Sequence, residues 1–178
     1  MKSASLRVPP GPTSIDSAVM RVWPSTHRFS VLDLAAVRLS QMGEVSAVWF
    51  VITAISAAMV LVSTGQAILL GAGIVLEWVL TNRVVKRFVW RERPNPEQPD
   101  LLGVRRPSSS SLPSGHSSAS AFAAVFVGPA VGWTVPMGVL AFLLGCSRFH
   151  LRVHYPTDVF AGWAWGASLG ALTLIAIH

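Results

Sequence analysis

The chain contains 178 residues, of which 52% are hydrophobic and 12% are charged, and its mean hydropathy is +0.53. Soluble domains carry about twice that charged fraction, so the composition indicates an integral membrane protein with one small domain. The net charge of +6 suits anionic lipid or a phosphorylated substrate, whereas nothing resembles a basic helix with interleaved aromatic residues, which argues against nucleic acid as a partner.

The N-terminal region divides into two parts. Residues 1–30 hold four prolines and scattered polar groups, which predicts a loosely ordered basic tail. This tail lacks the apolar core of a signal peptide. Residues 31–42, VLDLAAVRLSQM, mix apolar positions with Asp33 and Arg38, the pattern of an amphipathic helix that lies at the membrane surface.

Five apolar stretches follow, most of them near the roughly 20 residues that a membrane-spanning helix needs. They cover residues 45–63, 66–85, 115–132, 135–149 and 156–177. The sequence therefore predicts an all-α membrane bundle of about five transmembrane helices plus the interfacial helix. Gly162, Gly166 and Gly170 line one face of the last helix and let a neighbour approach closely. Glu77 is costly at membrane depth, so we expect a basic or polar partner for it.

The distribution of charge predicts the orientation of the bundle. Threading five spans places the N-terminal segment and the loops 83–113 and 147–158 on one side of the membrane. All fourteen Lys and Arg residues lie on that side, and the other side has none. Because positive residues near span ends are retained in the cytoplasm, we expect this side to face the cytoplasm, across a bacterial plasma membrane.

The first polar cluster on this side is KRFVWRERP, at the end of the second apolar stretch. Lys86 and Arg93 are seven residues apart, so on a continuous helix both side chains would point the same way. Pro94 limits how far such a helix continues. Taken alone, each basic residue is more simply explained as an interfacial anchor.

The second cluster, LPSGHSSAS, opens the third apolar stretch. Gly115 allows close approach of the backbone, and the free N–H groups of the following helix form an anion site. His116 lies in the first turn, where it can donate a proton. The simpler interpretation of this segment is a helix N-cap by Ser114.

The third cluster is SRFHLRVHYPTD, between the last two apolar stretches. Arg148 ends one helix, and His154 and Asp158 flank Pro156 with the spacing of the first turn of the next. An aspartate can hold an imidazole in the tautomer that leaves one nitrogen free to attack. Alone, the pattern is more simply explained as an interfacial histidine beside a capping aspartate.

The predicted topology brings the three clusters to one membrane face. They supply three fixed cations, a helix N-terminus, two histidines and one aspartate, which is the inventory of a phosphoryl-transfer site. Cations and amides would hold the phosphate oxygens. One histidine would attack phosphorus and the other would protonate the leaving oxygen.

These residues resemble the three signature motifs of the type 2 phosphatidic acid phosphatase (PAP2) superfamily, which includes lipid phosphate phosphatases, polyprenyl-diphosphate phosphatases and soluble vanadium haloperoxidases. The matching motifs are Lys86-x6-Arg93-Pro94, Pro113-Ser114-Gly115-His116 and Ser147-Arg148-x5-His154-x3-Asp158. All three are complete and in order, so residues 31–178 are interpreted as a PAP2-like membrane phosphatase domain.

The resemblance implies a role for each residue. His154 is expected to be the nucleophile that becomes a phosphohistidine, Asp158 to orient it, and His116 to be the general acid. The phosphate-binding residues are expected to be Lys86, Arg93, Ser114, Gly115 and Arg148. Hydrolysis in this family needs no metal, and no carboxylate cluster in the sequence suits one, so no cofactor is expected.

The implied function is hydrolysis of a lipid phosphomonoester or diphosphate. Candidate substrates are a polyprenyl-phosphoryl sugar phosphate, a polyprenyl diphosphate, phosphatidate and phosphatidylglycerophosphate. Many bacterial members face the periplasm and commonly have six spans, whereas five spans and a cytoplasmic site are predicted here. The alternatives are a lipid phosphotransferase with the same intermediate and a non-enzymatic protein that binds anionic lipid.

Three residues near the clusters are not used by these motifs. Cys146 and Arg152 have the spacing of cysteine-dependent phosphatases, but the intervening segment SRFHL contains no glycine and is bulky. Cys146 is also expected inside an apolar helix, where a thiolate is disfavoured. His150 has no motif role and is predicted to lie at the interface.

Overall fold

The computed structural model describes residues 6–7, 11–23, 30–94 and 107–177. Within these ranges the chain is almost entirely helical, which confirms the predicted all-α bundle. The helices are α1 (Ser14–Val22), α2 (Val31–Met42), α3 (Ala47–Ala58), α4 (Thr64–Phe88), α5 (Gly115–Val131), α6 (Thr134–His150) and α7 (Pro156–Ala176). Two short strands, β1 (Leu6–Arg7) and β2 (Val89–Trp90), pair in parallel.

Helix α5 lies at the centre of the bundle, where it packs along α7 and against α6. Glycines of α7 make the first contact close. A Cβ atom on Gly162 would lie 2.6 Å from the carbonyl oxygen of Ser114, and one on Gly166 would meet the carbonyl oxygen of Ser118. The small-residue face predicted from the sequence therefore lies directly on the backbone of α5.

Apolar side chains occupy both the interior and the outer surface of the bundle. Trp49, Phe122, Phe126, Met137 and Leu144 are buried together in the core. Large apolar residues are also exposed on the outer faces of the helices, among them Val139, Phe142, Phe160, Leu172 and Ile175. Such a surface is unfavourable in water and suits contact with lipid, as the composition predicts.

The helices α3 to α7 coincide with the five predicted apolar stretches. Among the described residues, α4 and α7 are long and apolar enough to cross a membrane by themselves. Helices α2 and α3 meet at a bend of 67° and would together form a third span. Helices α5 and α6 have 17 residues each. Five transmembrane crossings remain a prediction.

The N-terminal region is more ordered in the structure than the sequence indicated. Within the predicted tail, α1 begins with a capping box in which Thr13 and Asp16 satisfy each other's backbone amides, and Asp16 is buried. The tail residues 1–5, 8–10 and 24–29 lie outside the described residues. Helix α2 has the predicted bounds, and it buries Asp33 and Ser40 while its leucines at 32 and 34 are exposed.

The expectation that one helix carries both Lys86 and Arg93 is wrong. Helix α4 is π-helical over Leu80–Val85 and ends at Phe88, after which β2 extends the chain. Arg93 therefore lies beyond the helix, in a non-helical segment. The β-branched residues Val84, Val85 and Val89 fit this change from helix to extended chain.

Candidate active site

The three polar clusters converge on one cavity at the end of the bundle where α4 ends and α5 begins. The cavity has a volume of about 450 Å³. Six of the residues expected to carry the chemistry line it: Lys86, Arg93, Gly115, His116, Arg148 and His154. These six residues, which lie up to 68 positions apart in the sequence, therefore surround one cavity, as the predicted topology requires.

The contacts of His154 define which of its nitrogens is free to react. Nδ1 lies 3.3 Å from Oγ of Ser111, which donates to Oδ2 of Asp158 over 2.5 Å. Because that hydroxyl hydrogen points at the carboxylate, the Ser111 oxygen accepts from Nδ1–H of His154. The direct distance from Nδ1 to Oδ2 of Asp158 is 3.7 Å, beyond a hydrogen bond. Asp158 therefore orients the ring largely through Ser111, and Nε2 keeps its lone pair.

His154 is buried, and its surroundings favour the neutral ring. Burial lowers the pKa of His154 well below its usual value of 6.5, and the positive charges of Arg93, Arg148 and Lys86 lower it further. A neutral imidazole is the form that can attack phosphorus, so the same cations that would bind phosphate also keep the nucleophile ready.

Arg93 is held beside the nucleophile by backbone carbonyls. Its Nη1 donates to the carbonyl oxygen of Val153 over 2.9 Å and lies 3.0 Å from Nε2 of His154. Its other nitrogens donate to the carbonyl oxygens of Ser109 and Ser110, each over 3.2 Å. A phosphoryl group that approaches Nε2 therefore meets the guanidinium at the same point.

Arg148 and His116 are both tied to Ser40 on helix α2. Nη1 of Arg148 donates to the hydroxyl oxygen of Ser40, and Nε2 of His116 lies 3.2 Å from its backbone carbonyl oxygen. A carbonyl oxygen can only accept, so Nε2 of His116 carries the hydrogen of that bond. The end of α2 thus holds both His116 and Arg148 at the cavity.

The start of α5 presents its backbone to the cavity. Gly115 lines the cavity beside Asn82, whose Oδ1 would lie 2.8 Å from a Cβ atom at this position. The hydroxyl of Ser114 caps the helix by accepting from the backbone N–H of Ser117, and Ser114 is fully buried behind the cavity. The structure therefore gives the Ser114 side chain the capping role and leaves anion contact to the backbone.

The carboxylate of Asp158 is fully buried and has a partner on each oxygen. Oδ1 accepts from Arg91 over 2.8 Å, and Oδ2 accepts from the backbone N–H of Tyr155 over 2.9 Å as well as from Ser111. Although burial opposes it, hydrogen bonds and ion pairs with Asp16 and Asp158 raise the pKa of Arg91 above its usual value. Arg91 is therefore a permanent cation beside the Asp158 carboxylate.

Ser111, Arg91 and Asp16 were missed by the sequence analysis. Ser111 lies in a run of four serines, with no local signal that distinguishes it from its neighbours. Arg91 lies inside the first motif but at one of its variable positions. The capping-box pattern of Thr13 and Asp16 is a signal that could have revealed α1, although not its partner.

The remaining histidine and arginine of the third cluster are structural. His150 was expected at the interface but is buried, with Nε2 at 2.9 Å from Oδ1 of Asp33 and Nδ1 accepting from the indole N–H of Trp23. Arg152 donates to the backbone carbonyl oxygens of Met20 and Trp23. Both residues thus attach the N-terminal helices to the segment that carries His154.

Glu77 has polar partners on one carboxyl oxygen, Oε1, whereas Oε2 has none among the described residues. Its Oε1 accepts from Thr81 over 2.7 Å and from Ser118 over 2.5 Å, and the indole N–H of Trp165 donates to the Thr81 hydroxyl over 2.8 Å. This buried network joins α4 to α5 and α7 immediately before the π-helical segment. It fixes the end of α4 from which Lys86 reaches the cavity.

Among the described residues, no group of three or more histidine, cysteine, aspartate or glutamate side chains is arranged to hold a metal ion. Cys146 is partly buried and is not among the cavity-lining residues. The cavity instead brings together two histidines and the cationic side chains of Lys86, Arg93 and Arg148.

The chain is similar in sequence to known phosphatases. A family model of the PAP2 superfamily matches residues 65–178, more than half of the chain. The decaprenylphosphoryl-5-phosphoribose phosphatase of Mycobacterium tuberculosis is 35% identical over 135 residues, which cover 75% of this chain and 74% of that protein.

Two crystal structures have the same fold. A transmembrane PAP2 type phosphatidylglycerolphosphate phosphatase from Bacillus subtilis matches with a TM-score of 0.72 at 26% identity, over 92% of this chain and 85% of that one. LpxE from Aquifex aeolicus matches with a TM-score of 0.71 at 22% identity, over 92% and 96% of the two chains. The second likeness is evidence for the fold alone.

Proposed function

The chain belongs to the PAP2 superfamily and is a membrane lipid phosphatase, and we propose that it hydrolyses its substrate through a phosphohistidine formed on His154. The observation that carries this mechanism is the buried His154, held by Ser111 and Asp158 and facing a cavity whose lining includes Lys86, Arg93 and Arg148. Neither a lipid-binding protein nor a cysteine-dependent phosphatase needs that arrangement.

In the first step, the lone pair on Nε2 of His154 attacks phosphorus. The bond between phosphorus and the ester oxygen breaks, and His116 gives a proton to that oxygen as it leaves. Lys86, Arg93 and Arg148 hold the three non-reacting oxygens, and Arg93 turns from Nε2 toward the phosphoryl group. The negative charge of Asp158 offsets the positive charge that the imidazole ring acquires.

In the second step, a water molecule attacks the phosphorus of the phosphohistidine. His116 now accepts a proton from this water, and the bond between phosphorus and Nε2 breaks with its electrons returning to the ring. The products are inorganic phosphate and the dephosphorylated lipid. The same histidine thus acts as acid and then as base, as microscopic reversibility of the two half-reactions requires.

We propose a polyprenyl-phosphoryl sugar phosphate as the substrate. The relative that is 35% identical over 135 residues is named for such a lipid. The cavity also extends beyond the three phosphate ligands to Trp78, Asn82 and Arg83, with the Arg83 guanidinium 5.6 Å from the centre of the Trp78 ring. An aromatic ring and an amide suit a sugar, and a further cation suits a second phosphate on the same lipid.

We propose that the cavity opens to the cytoplasm, because threading the sequence through five spans assigns every Lys and Arg to the side on which the three motifs lie. Gly65, at the start of α4, lies at the opposite end of that helix from Lys86. In a Cys146→Ser background, an impermeant maleimide added to intact cells should label Gly65→Cys and not Ser14→Cys. Labelling of Ser14→Cys in intact cells would refute this orientation.

The activity test uses purified protein in detergent and a panel of lipid phosphates that includes a polyprenyl-phosphoryl pentose phosphate, a polyprenyl diphosphate, phosphatidate and phosphatidylglycerophosphate. We expect phosphate release to be fastest from the sugar phosphate. His154→Ala should abolish release and Cys146→Ala should preserve it. Alkaline quenching followed by ³¹P NMR should detect a phosphohistidine. Release by His154→Ala at the wild-type rate would overturn the mechanism.

A variant of Arg83 tests the substrate assignment separately. Arg83 is exposed, so its contact with a second phosphate is worth about 1 kcal/mol. Arg83→Gln should therefore raise KM for the sugar phosphate about fivefold, and KM for phosphatidate, which has one phosphate, by less than twofold. Equal changes for both lipids would show that Arg83 does not read a second phosphate.

A further inference from the structure

Asp16, Arg91 and Asp158 form a buried chain of charged groups that reaches the active site from helix α1. Arg91 donates from Nη2 to Oδ2 of Asp16 over 2.5 Å, and from Nη1 to Oδ1 of Asp158 over 2.8 Å. Both carboxylates are fully buried, and Arg91 is 2% exposed. Asp16 lies outside the region 65–178 that the family model matches, so its pairing is not part of the three motifs.

Asp16 also binds the first turn of α7, which carries Asp158. Its Oδ1 accepts from the backbone N–H of Thr157 over 2.9 Å, and its Oδ2 accepts from the Thr157 hydroxyl over 2.9 Å. The oxygen of that hydroxyl in turn accepts from Nη1 of Arg91 over 2.7 Å. Two helix starts, those of α1 and α7, are therefore joined through one aspartate and one guanidinium.

The charges of Asp16, Arg91 and Asp158 together determine the electrostatic potential that Asp158 presents to His154. One guanidinium lies between two carboxylates, so the three groups together carry a net charge of −1. If Arg91 contacted Asp158 alone, its positive charge would cancel the negative charge of the Asp158 carboxylate. The cancellation would be strong because charges interact strongly in a buried region. By sharing Arg91, Asp16 leaves Asp158 with negative potential toward Ser111 and His154.

The contacts among Asp16, Arg91 and Asp158 also fix the rotation of the Asp158 side chain. Because Oδ1 is committed to Arg91, Oδ2 faces Ser111 and, through it, Nδ1 of His154. The Tyr155 ring covers the Arg91 guanidinium at 4.3 Å and closes the remaining side. Neither Asp16 nor Arg91 lines the cavity, so the chain acts on the nucleophile and not on the bound phosphate.

We propose that Asp16 is a positioning residue for the reaction: through Arg91 it orients the Asp158 carboxylate toward Ser111 and preserves its negative charge. This proposal rests on the proposed phosphohistidine mechanism, since the imidazole of His154 gains positive charge only when it bonds to phosphorus. It predicts an effect on kcat with little effect on KM.

The test compares Asp16→Asn with Asp33→Asn, a matched control. Asp33 has the same place in the capping box of α2, is buried, and its Oδ1 lies 2.9 Å from Nε2 of His150, but it has no contact with Asp158. Measured on folded, monodisperse protein, Asp16→Asn should lower kcat about tenfold and change KM by less than twofold. Asp33→Asn should lower the melting temperature similarly and leave kcat within twofold of wild type.

A double-mutant cycle separates positioning from a general loss of stability. In an Asp158→Asn background, which removes the carboxylate through which Asp16 acts, Asp16→Asn should lower the residual kcat by less than twofold. A full tenfold loss in that background would overturn the proposal, as would an unchanged kcat for Asp16→Asn alone or an equal loss for Asp33→Asn. If Asp16→Asn fails to fold, Thr157→Val replaces it, with an expected loss in kcat of about threefold.

Failure of the underlying mechanism has a different signature. If wild-type protein releases phosphate from no lipid, or if His154→Ala remains active, the phosphohistidine mechanism fails whatever Asp16→Asn does. If wild type is active, His154→Ala is inactive and Asp16→Asn has the wild-type kcat, only the role of Asp16 is refuted.

Discussion

Replacing Ser111 by alanine tests whether its hydroxyl passes the hydrogen bond from His154 to Asp158. The hydroxyl oxygen lies 3.3 Å from Nδ1 and 2.5 Å from Oδ2, whereas the direct separation of Nδ1 and Oδ2 is 3.7 Å. Hydrogen bonds to charged groups contribute about 1.5–3 kcal/mol. Since each 1.4 kcal/mol corresponds to a factor of ten, we expect kcat to fall roughly 10- to 150-fold in Ser111→Ala.

The assay is steady-state hydrolysis in detergent micelles, with Ser108→Ala as the control. Ser108 belongs to the same run of serines but is exposed, so its loss should leave kcat unchanged. KM of Ser111→Ala should stay within threefold of wild type, because Ser111 is not among the residues that line the cavity. A kcat within twofold of wild type would show that Asp158 orients His154 without the hydroxyl, and the proposed relay would be refuted.

Three further results are expected. Because burial and the neighbouring cations lower the pKa of His154 well below 6.5, its imidazole should be neutral at pH 6.5 in NMR spectra of histidine-labelled protein, with His154→Ala to assign the signal. A half-protonated ring at that pH would contradict the cationic site. His116→Ala should slow lipid hydrolysis about 10²- to 10⁴-fold. It should slow the hydrolysis of p-nitrophenyl phosphate far less, because nitrophenolate leaves without a proton. Equal losses for both substrates would refute the general-acid role. Gly166→Ala should unfold the bundle or lower its melting temperature sharply, because the new methyl group meets the Ser118 carbonyl. Gly138→Ala, whose methyl group would have nothing within 4 Å, should be neutral or stabilising. Equal melting temperatures of the two variants would contradict the close packing of α5 on α7.

The sequence predicted the elements of this protein wherever a local pattern decides them. Helix α2 has the predicted bounds, and the five apolar stretches all became helices. The sequence also predicted that the three clusters meet, because every second connection between successive antiparallel helices lies on the same side of the membrane. Gly115 and His116 were placed correctly because a glycine followed by the first turn of an apolar helix has one common structure, a helix start with free amides.

The failures concern contacts that no local pattern specifies. Lys86 and Arg93 have helical spacing, yet the helix ends at Phe88, and the backbone carbonyls of the serine loop and of Val153 place Arg93 instead. Ser111 differs from its neighbouring serines only in the carboxylate that it reaches, 47 residues further along the chain. Such pairings become visible only after the chain has folded, because the partners are contributed by different helices.

The N-terminal helices explain how so much polar chemistry can lie beside lipid. Helices α1 and α2 each begin with a capping box, and in each the buried aspartate pairs with a basic residue near the active site: Asp16 with Arg91, and Asp33 with His150. Pairs of this kind cost desolvation and add little stability, so their effect is to specify one arrangement. Asp33 holds the last residue of α6, whereas Asp16 holds the first turn of α7, which carries Asp158. Ser40 and Asp16 therefore support the active site from the N-terminal region, because without them Arg148 and His116 would lose Ser40 as a partner and Arg91 would lose Asp16.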